Sequence, residues 1–158
     1  MALSVRRVIT GHDSNGNAVV DIDEVVTSRG GSRPGISSKV LWTTDRSPAD
    51  NNSDEDMSQR PVNAAVPSGS TLRVIEYLPE VSPRNHRTRT VDYAIVISGE
   101  IDMQMDDAKV HLKAGDVLVQ RGTIHNWENR GAEPCVIAFV LMDAEPVTAG
   151  GNELEIVG

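Results

Sequence analysis

Apolar and polar residues alternate in short runs through the second half of the chain, and the runs recur at about 8 to 12 residues. TLRVIEYL (71–78), VDYAIVIS (91–98), EIDMQM (100–105), AKVHLK (108–113), DVLVQ (116–120), TIHNWEN (123–129) and CVIAFVLM (135–142) each read as a strand. The breaks between them are PEVSPRN, Ser98-Gly99, Asp106-Asp107, Ala114-Gly115, Arg121-Gly122 and NRGAEP, all rich in turn-forming residues. No helical period competes with this pattern. Several short strands at such spacing predict an all-β sandwich or barrel.

The first half extends the same theme. SVRRVIT and AVVDID, within residues 4–23, flank GHDSNGN, where Asn15-Gly16 signals a tight hairpin turn. His12 lies in that turn and reads as a solvent-exposed residue. TSRGGSRPGISS (27–38) reads as a loop, and KVLWTT (39–44) as a short strand. Trp42 is costly to expose, so it covers one end of the core or packs on a partner chain. Residues 1–44 are thus expected to form a β extension packed on a barrel or on a partner subunit. Residues 45–70, rich in acids, Asn, Ser and Pro, form a solvated loop. Residues 71–143 form the barrel and 144–158 a surface tail, all within one domain. Asp54, Glu55 and Asp56 lack the spacing of a calcium-binding EF-hand loop.

Composition narrows the partners. The chain has 158 residues, 39% hydrophobic and 24% charged, which suits one globular domain. A formal charge of −8 argues against a nucleic-acid or anionic-membrane surface. Locally, Arg84, Arg87 and Arg89 either attract an anionic ligand or sit as solvated charges at a strand end. The single cysteine, Cys135, allows no intramolecular disulfide and, within its apolar run, reads as a buried, inert thiol. No apolar stretch reaches the ~20 residues of a membrane span, and MALSVRRVIT does not supply a signal-peptide core. A cytoplasmic protein is expected.

The candidate chemistry lies between His86 and Asn129. Alternation puts Asp92, Ala94 and Val96 on one strand face, and His125, Trp127 and Asn129 on another. Two histidines and a carboxylate converging from separate strands would make a 2-His-1-carboxylate metal set with open coordination positions. Taken one at a time, His86 reads as a loop residue, Asp92 as a strand-start residue bonded to a backbone amide, and His125 as a satisfied core histidine. Trp127 is a pocket wall or a core residue. Tyr93 alternates to the outside, and His111 reads as a strand-edge residue.

Two blocks of this stretch resemble the paired motifs of the cupin superfamily, and specifically its small single-domain members. His86-Arg87-Thr88, three residues, Asp92, six residues and Gly99-Glu100 are similar in spacing to the first motif. Gly115, DVLVQ, Arg121-Gly122, His125, NWE and Asn129 are similar to the second. The resemblance covers about residues 71–142 and implies a jelly-roll barrel, a double-stranded β-helix. It further implies a divalent metal ion (iron, manganese, nickel, zinc or copper) on His86, Asp92 and His125. Asp92 and His125 would be the catalytic pair, and Thr88, Trp127, Asn129 and Arg84 would contribute to the substrate pocket. The chain departs from the pattern at Thr88 (usually histidine), Asp92 (usually glutamate) and Arg121 (usually proline).

The leading expectation is a metal-dependent enzyme acting on a small organic molecule in the barrel mouth. Two alternatives stay open: a non-catalytic small-molecule binding or sensing module, and a metal-free enzyme with His125 and Asp92 as an acid–base pair. The additional N-terminal strands and the habit of such barrels imply a homodimer.

Overall fold

Leu3–His12 (β1) and Ala18–Ser28 (β2) pair as an antiparallel hairpin in the computed structural model, which describes residues 2–28, 30–31 and 33–158. Its turn forms as the Asn-Gly pair predicts. The Asp13 carboxylate accepts from the backbone N–H of Asn15 and Asn17, and Gly16 takes φ +80°. The expected loop at 27–38 is shorter than the sequence suggests. β2 runs to Ser28, and Ile36–Thr44 (β3) begins early because Ile36, Ser37 and Ser38 pair with Tyr77, Glu76 and Ile75. Arg29 and Ser32 of that segment lie outside the described residues.

Six further strands follow from residue 70: Ser70–Tyr77 (β4), Thr90–Ser98 (β5), Glu100–Gln104 (β6), Lys109–Lys113 (β7), Val117–Arg121 (β8) and Asn126–Glu128 (β9). Cys135–Asp143 (β10) and a small hairpin, Thr148–Ala149 (β11) with Asn152–Glu153 (β12), complete the order. One sheet runs β3-β4-β10-β5-β8 and a second runs β7-β6-β9, antiparallel throughout. The fold is all-β, a jelly-roll barrel. Its core lies between the two sheets, where Ala94, Val96, Ile101, Met103, Trp127, Ile137 and Phe139 pack together. Gly99 makes the turn from β5 into β6 at φ +75°, and a Cβ there would stand 2.5 Å from the Pro134 carbonyl oxygen.

The hairpin lies on the outside of the large sheet. Leu3, Val5 and Val26 pack on Leu41, Leu72, Val74, Val136 and Ala138, which point away from the barrel interior. Both faces of β4 are therefore covered. The acidic loop is anchored to this layer. Arg7, buried in the hairpin, donates from Nη1 to Asp56 at 2.9 Å and from Nε to Glu24 at 2.7 Å, and Nη1 also reaches the Leu41 carbonyl. Asp56 in turn caps the short 3-10 helix Met57–Gln59, and Thr43 donates to the Met57 carbonyl at 2.6 Å. The Arg7 guanidinium holds the Asp56 carboxyl well below the usual carboxylate range. Among the described residues no helix is long and apolar enough to cross a membrane.

Candidate functional site

The two motif histidines meet as neighbours across a two-residue bridge. His86 N–H donates to the His125 carbonyl at 2.9 Å, His125 N–H donates back at 3.0 Å, and the ring centroids are 4.2 Å apart. TIHNWEN is thus not one strand. Gly122, at φ +61°, turns the chain, and His125 pairs with His86 before β9 begins at Asn126. A Cβ on residue 122 would meet the Val147 side chain at 2.5 Å.

Each ring has its tautomer fixed. His86 Nδ1 lies 3.0 Å from the Arg84 carbonyl and His125 Nδ1 lies 3.0 Å from the Thr123 carbonyl. A carbonyl only accepts, so Nδ1 carries the proton in both and Nε2 carries the lone pair. Burial pushes the His125 imidazole down to about 4, with the neighbouring His86 adding to the shift. Burial also lowers His86, assisted by the charges of Arg84 and Arg33. Both rings are neutral bases at physiological pH.

Asp92 projects inward from β5, as its alternation with Ala94 and Val96 predicts, while Tyr93 projects out. The carboxyl is buried and Oδ1 has no hydrogen-bond partner among the described residues. Burial pushes its pKa up, partly offset by the Thr90 hydroxyl and the Arg73 guanidinium. Thr88, where the resemblance leads one to expect a histidine, bonds Thr90 at 2.8 Å between hydroxyls.

His86, Thr88, Asp92, His125, Trp127 and Arg84 line one cavity of about 590 Å³. Trp127 is both pocket wall and core, edge-on to His125 at 5.9 Å and to Phe139 at 5.5 Å. Asn129 corrects an expectation, for it does not line the cavity. Its fully buried amide donates to the carbonyls of Tyr77 and Glu133 and accepts from Gly131 N–H, so it ties the turn after β9 to β4.

The expected three-ligand metal set is not assembled either. Among the described residues no three histidine, cysteine, aspartate or glutamate side chains come close enough to share one ion. An aspartate, one methylene shorter than the usual glutamate, reaches less far from β5, and Thr88 supplies no imidazole. The donor set present is two imidazoles with a separate carboxyl, which does not fit a three-ligand centre.

Several residues of the site escaped the sequence reading. Gln120, buried opposite Asp92 in the β5–β8 register, donates to the Thr123 carbonyl and so braces the segment that orients His125. Arg73 and Arg33 line the cavity as well, with Tyr77 on the same wall. Alternation with Asp92's neighbours could have flagged Gln120. Outside the site, Cys135 is buried with its thiol pushed up to about 11, as an inert cysteine should be, and His111 is an edge residue bonded to Asp102 at 2.9 Å.

Residues 73–141 match the Cupin domain family. Phomopsin biosynthesis cluster protein C' of Diaporthe leptostromiformis is 33% identical over 94% of this chain and 83% of its own length. A protein named cupin-domain-containing oxidoreductase fogC, of Aspergillus ruber, is 32% identical over 96% of this chain and 78% of its own. Among solved structures, a double-stranded β-helix protein of Klebsiella pneumoniae superposes with TM-score 0.52 over 74% of this chain and 84% of its own, at 22% identity.

Proposed function

Since the chain belongs to the cupin superfamily, we propose that it is an enzyme that moves a proton on a small organic molecule held in the barrel cavity. One observation carries this reading. His125 is buried beside the cavity, held neutral, and bound at Nδ1 by the Thr123 carbonyl, so its Nε2 is a positioned base. Asp92, pushed toward its protonated form on the same cavity, is the complementary acid. In the simplest cycle Nε2 of His125 takes a proton from a carbon next to a carbonyl. The electron pair moves into the enolate, and the Asp92 carboxyl protonates the enolate oxygen. Water then takes the proton from the His125 imidazolium and returns one to the Asp92 carboxylate. The relatives support the class of substrate, since one is named for a biosynthesis cluster and another as an oxidoreductase.

A second reading is a metal-dependent redox enzyme using iron, manganese, nickel, zinc or copper. The specific observation favouring it is that neither Nε2 atom has a protein hydrogen-bond partner among the described residues and Asp92 Oδ1 is unpartnered. Asp92 would have to move toward the histidines to complete such a site. The two readings separate on one experiment: proton exchange into acetylacetone and phenylpyruvate in D2O, followed by NMR. Exchange that survives exhaustive chelation and is lost in His125→Gln supports the acid–base reading. Exchange abolished by chelation and restored by one of the five metals sinks it in favour of the second.

The reading includes a homodimer in a reducing, cytoplasmic setting, consistent with a lone buried cysteine. The hairpin covers the outer face of β3, β4 and part of β10, but Tyr93, Ile97, Val117 and Val119 remain exposed on β5 and β8. That is an apolar strip ending at an edge strand, the kind of surface that pairing protects.

A further inference from the structure

Among the described residues, four arginines line the cavity (Arg33, Arg73, Arg84 and Arg87) against a single carboxylate side chain, Asp92. The chain as a whole is acidic, with 23 acids to 15 basic residues, and Arg6, Arg7, Arg46, Arg60 and Arg130 all find carboxylate partners. None of the four cavity arginines lies within ion-pair distance of a carboxylate among the described residues.

Arg73 is the most informative of them. It sits mid-strand on β4, paired in register with Val40 and Phe139, and shares the inward face with Ile75 and Tyr77. An inward arginine between apolar neighbours is costly unless its charge is answered. Nη2 donates to the Asn63 carbonyl at 2.7 Å and more weakly to Ala64, which holds the group in place without neutralising it. Its Nε is buried and has no partner among the described residues. Arg87 repeats the pattern, with Nη1 on the Glu155 carbonyl and a buried Nε that has no partner among the described residues.

We infer that the cavity binds an anionic small molecule, a carboxylate or enolate on an apolar body, with its negative charge on Arg73. The inference rests on the cavity being the substrate site of the proposed reaction, and names the class of substrate that site takes. Arg73 is then the specificity-determining residue: a planar guanidinium presents N–H donors in a fork that matches a carboxylate. Trp127, Phe139 and Leu141 supply the apolar surface for the rest of the molecule. For an enolate formed at His125, the same positive field would stabilise the developing charge.

The test is equilibrium binding by calorimetry of phenylacetate and of phenylacetamide, its uncharged counterpart of the same size. The wild-type protein should bind phenylacetate at least tenfold tighter than the amide. Arg73→Gln should remove that preference, and Arg73→Lys should keep part of it, with unchanged circular dichroism establishing that each variant folds. Equal affinity for acid and amide, or an Arg73→Gln variant that still prefers the acid, overturns the inference. Binding needs no turnover, so the outcomes stay separable. Arg73-dependent acid binding without proton exchange would refute the proposed reaction alone, whereas exchange into acetylacetone without any preference for the acid would refute the inference alone.

Discussion

The imidazole of His125 ties protein stability to pH. In the native chain its pKa lies near 4, against an ordinary 6.5 when unfolded. Above 6.5 neither state is protonated there and the native state keeps its full advantage. As pH falls from 6.5 toward 4 the unfolded chain takes up a proton that the native chain refuses, so stability drops, by up to about 3 kcal/mol from this residue. His86 acts in the same direction, and Asp92, whose pKa is raised, acts in the opposite one. Urea titrations at pH 7 and pH 4.5 should therefore show a loss of stability in the wild type and a markedly smaller one in His125→Gln. At this scale the sequence was half legible. His86, Asp92 and His125 stand at spacings that pick them out, and Asp92's inward direction follows from strict alternation. Arg73 does not stand out, because β4 carries Leu72 and Val74 on its outer face, where the hairpin covers them, and its arginine inside. In TLRVIEYL that reads as an ordinary half-exposed strand. Asn129 was misread for the complementary reason: a polar side chain just past the pocket strand is buried to satisfy backbone carbonyls, which spacing does not reveal.

Among the elements, the N-terminal hairpin and the acidic loop depend on each other through one side chain. Arg7 is 5% exposed and faces Asp56 and Glu24. Replacing it leaves a partly buried carboxylate without its cation and releases the cap of the 3-10 helix. Arg7→Met should therefore cost on the order of 3 kcal/mol in urea denaturation, whereas Arg6→Met, at an exposed pair with Asp23, should cost under about 1 kcal/mol. The strands themselves were legible almost throughout, since period-two patterning and Gly or Asp turns determine them locally. The loop was legible only as a loop. Its acids read as solvent-facing, yet Asp56 answers a cation forty-nine positions away in sequence, and no local pattern encodes such a contact. The same holds for His125, whose pairing with His86 is a long-range bridge that shortens the expected strand.

For the whole molecule, the uncovered strip of Tyr93, Ile97, Val117 and Val119 is the feature that bears on assembly. Light scattering coupled to size exclusion should give a mass of twice 17.1 kDa, and Val119→Glu, at a position 56% exposed, should shift it toward one chain without lowering the melting temperature of the subunit. A single-chain mass for the wild-type protein at micromolar concentration would remove the dimer from the reading.

The edge-on contact of Trp127 with His125 has an optical consequence. An indole beside an imidazole loses emission when that imidazole gains a proton, because the cation accepts an excited electron that the neutral ring does not. The chain has two tryptophans, and Trp42 lies half-buried on β3 beside the acidic loop, outside the set of residues lining the cavity. With Trp42 replaced by phenylalanine, the remaining fluorescence becomes a built-in gauge of the charge on His125, readable in real time and without any label.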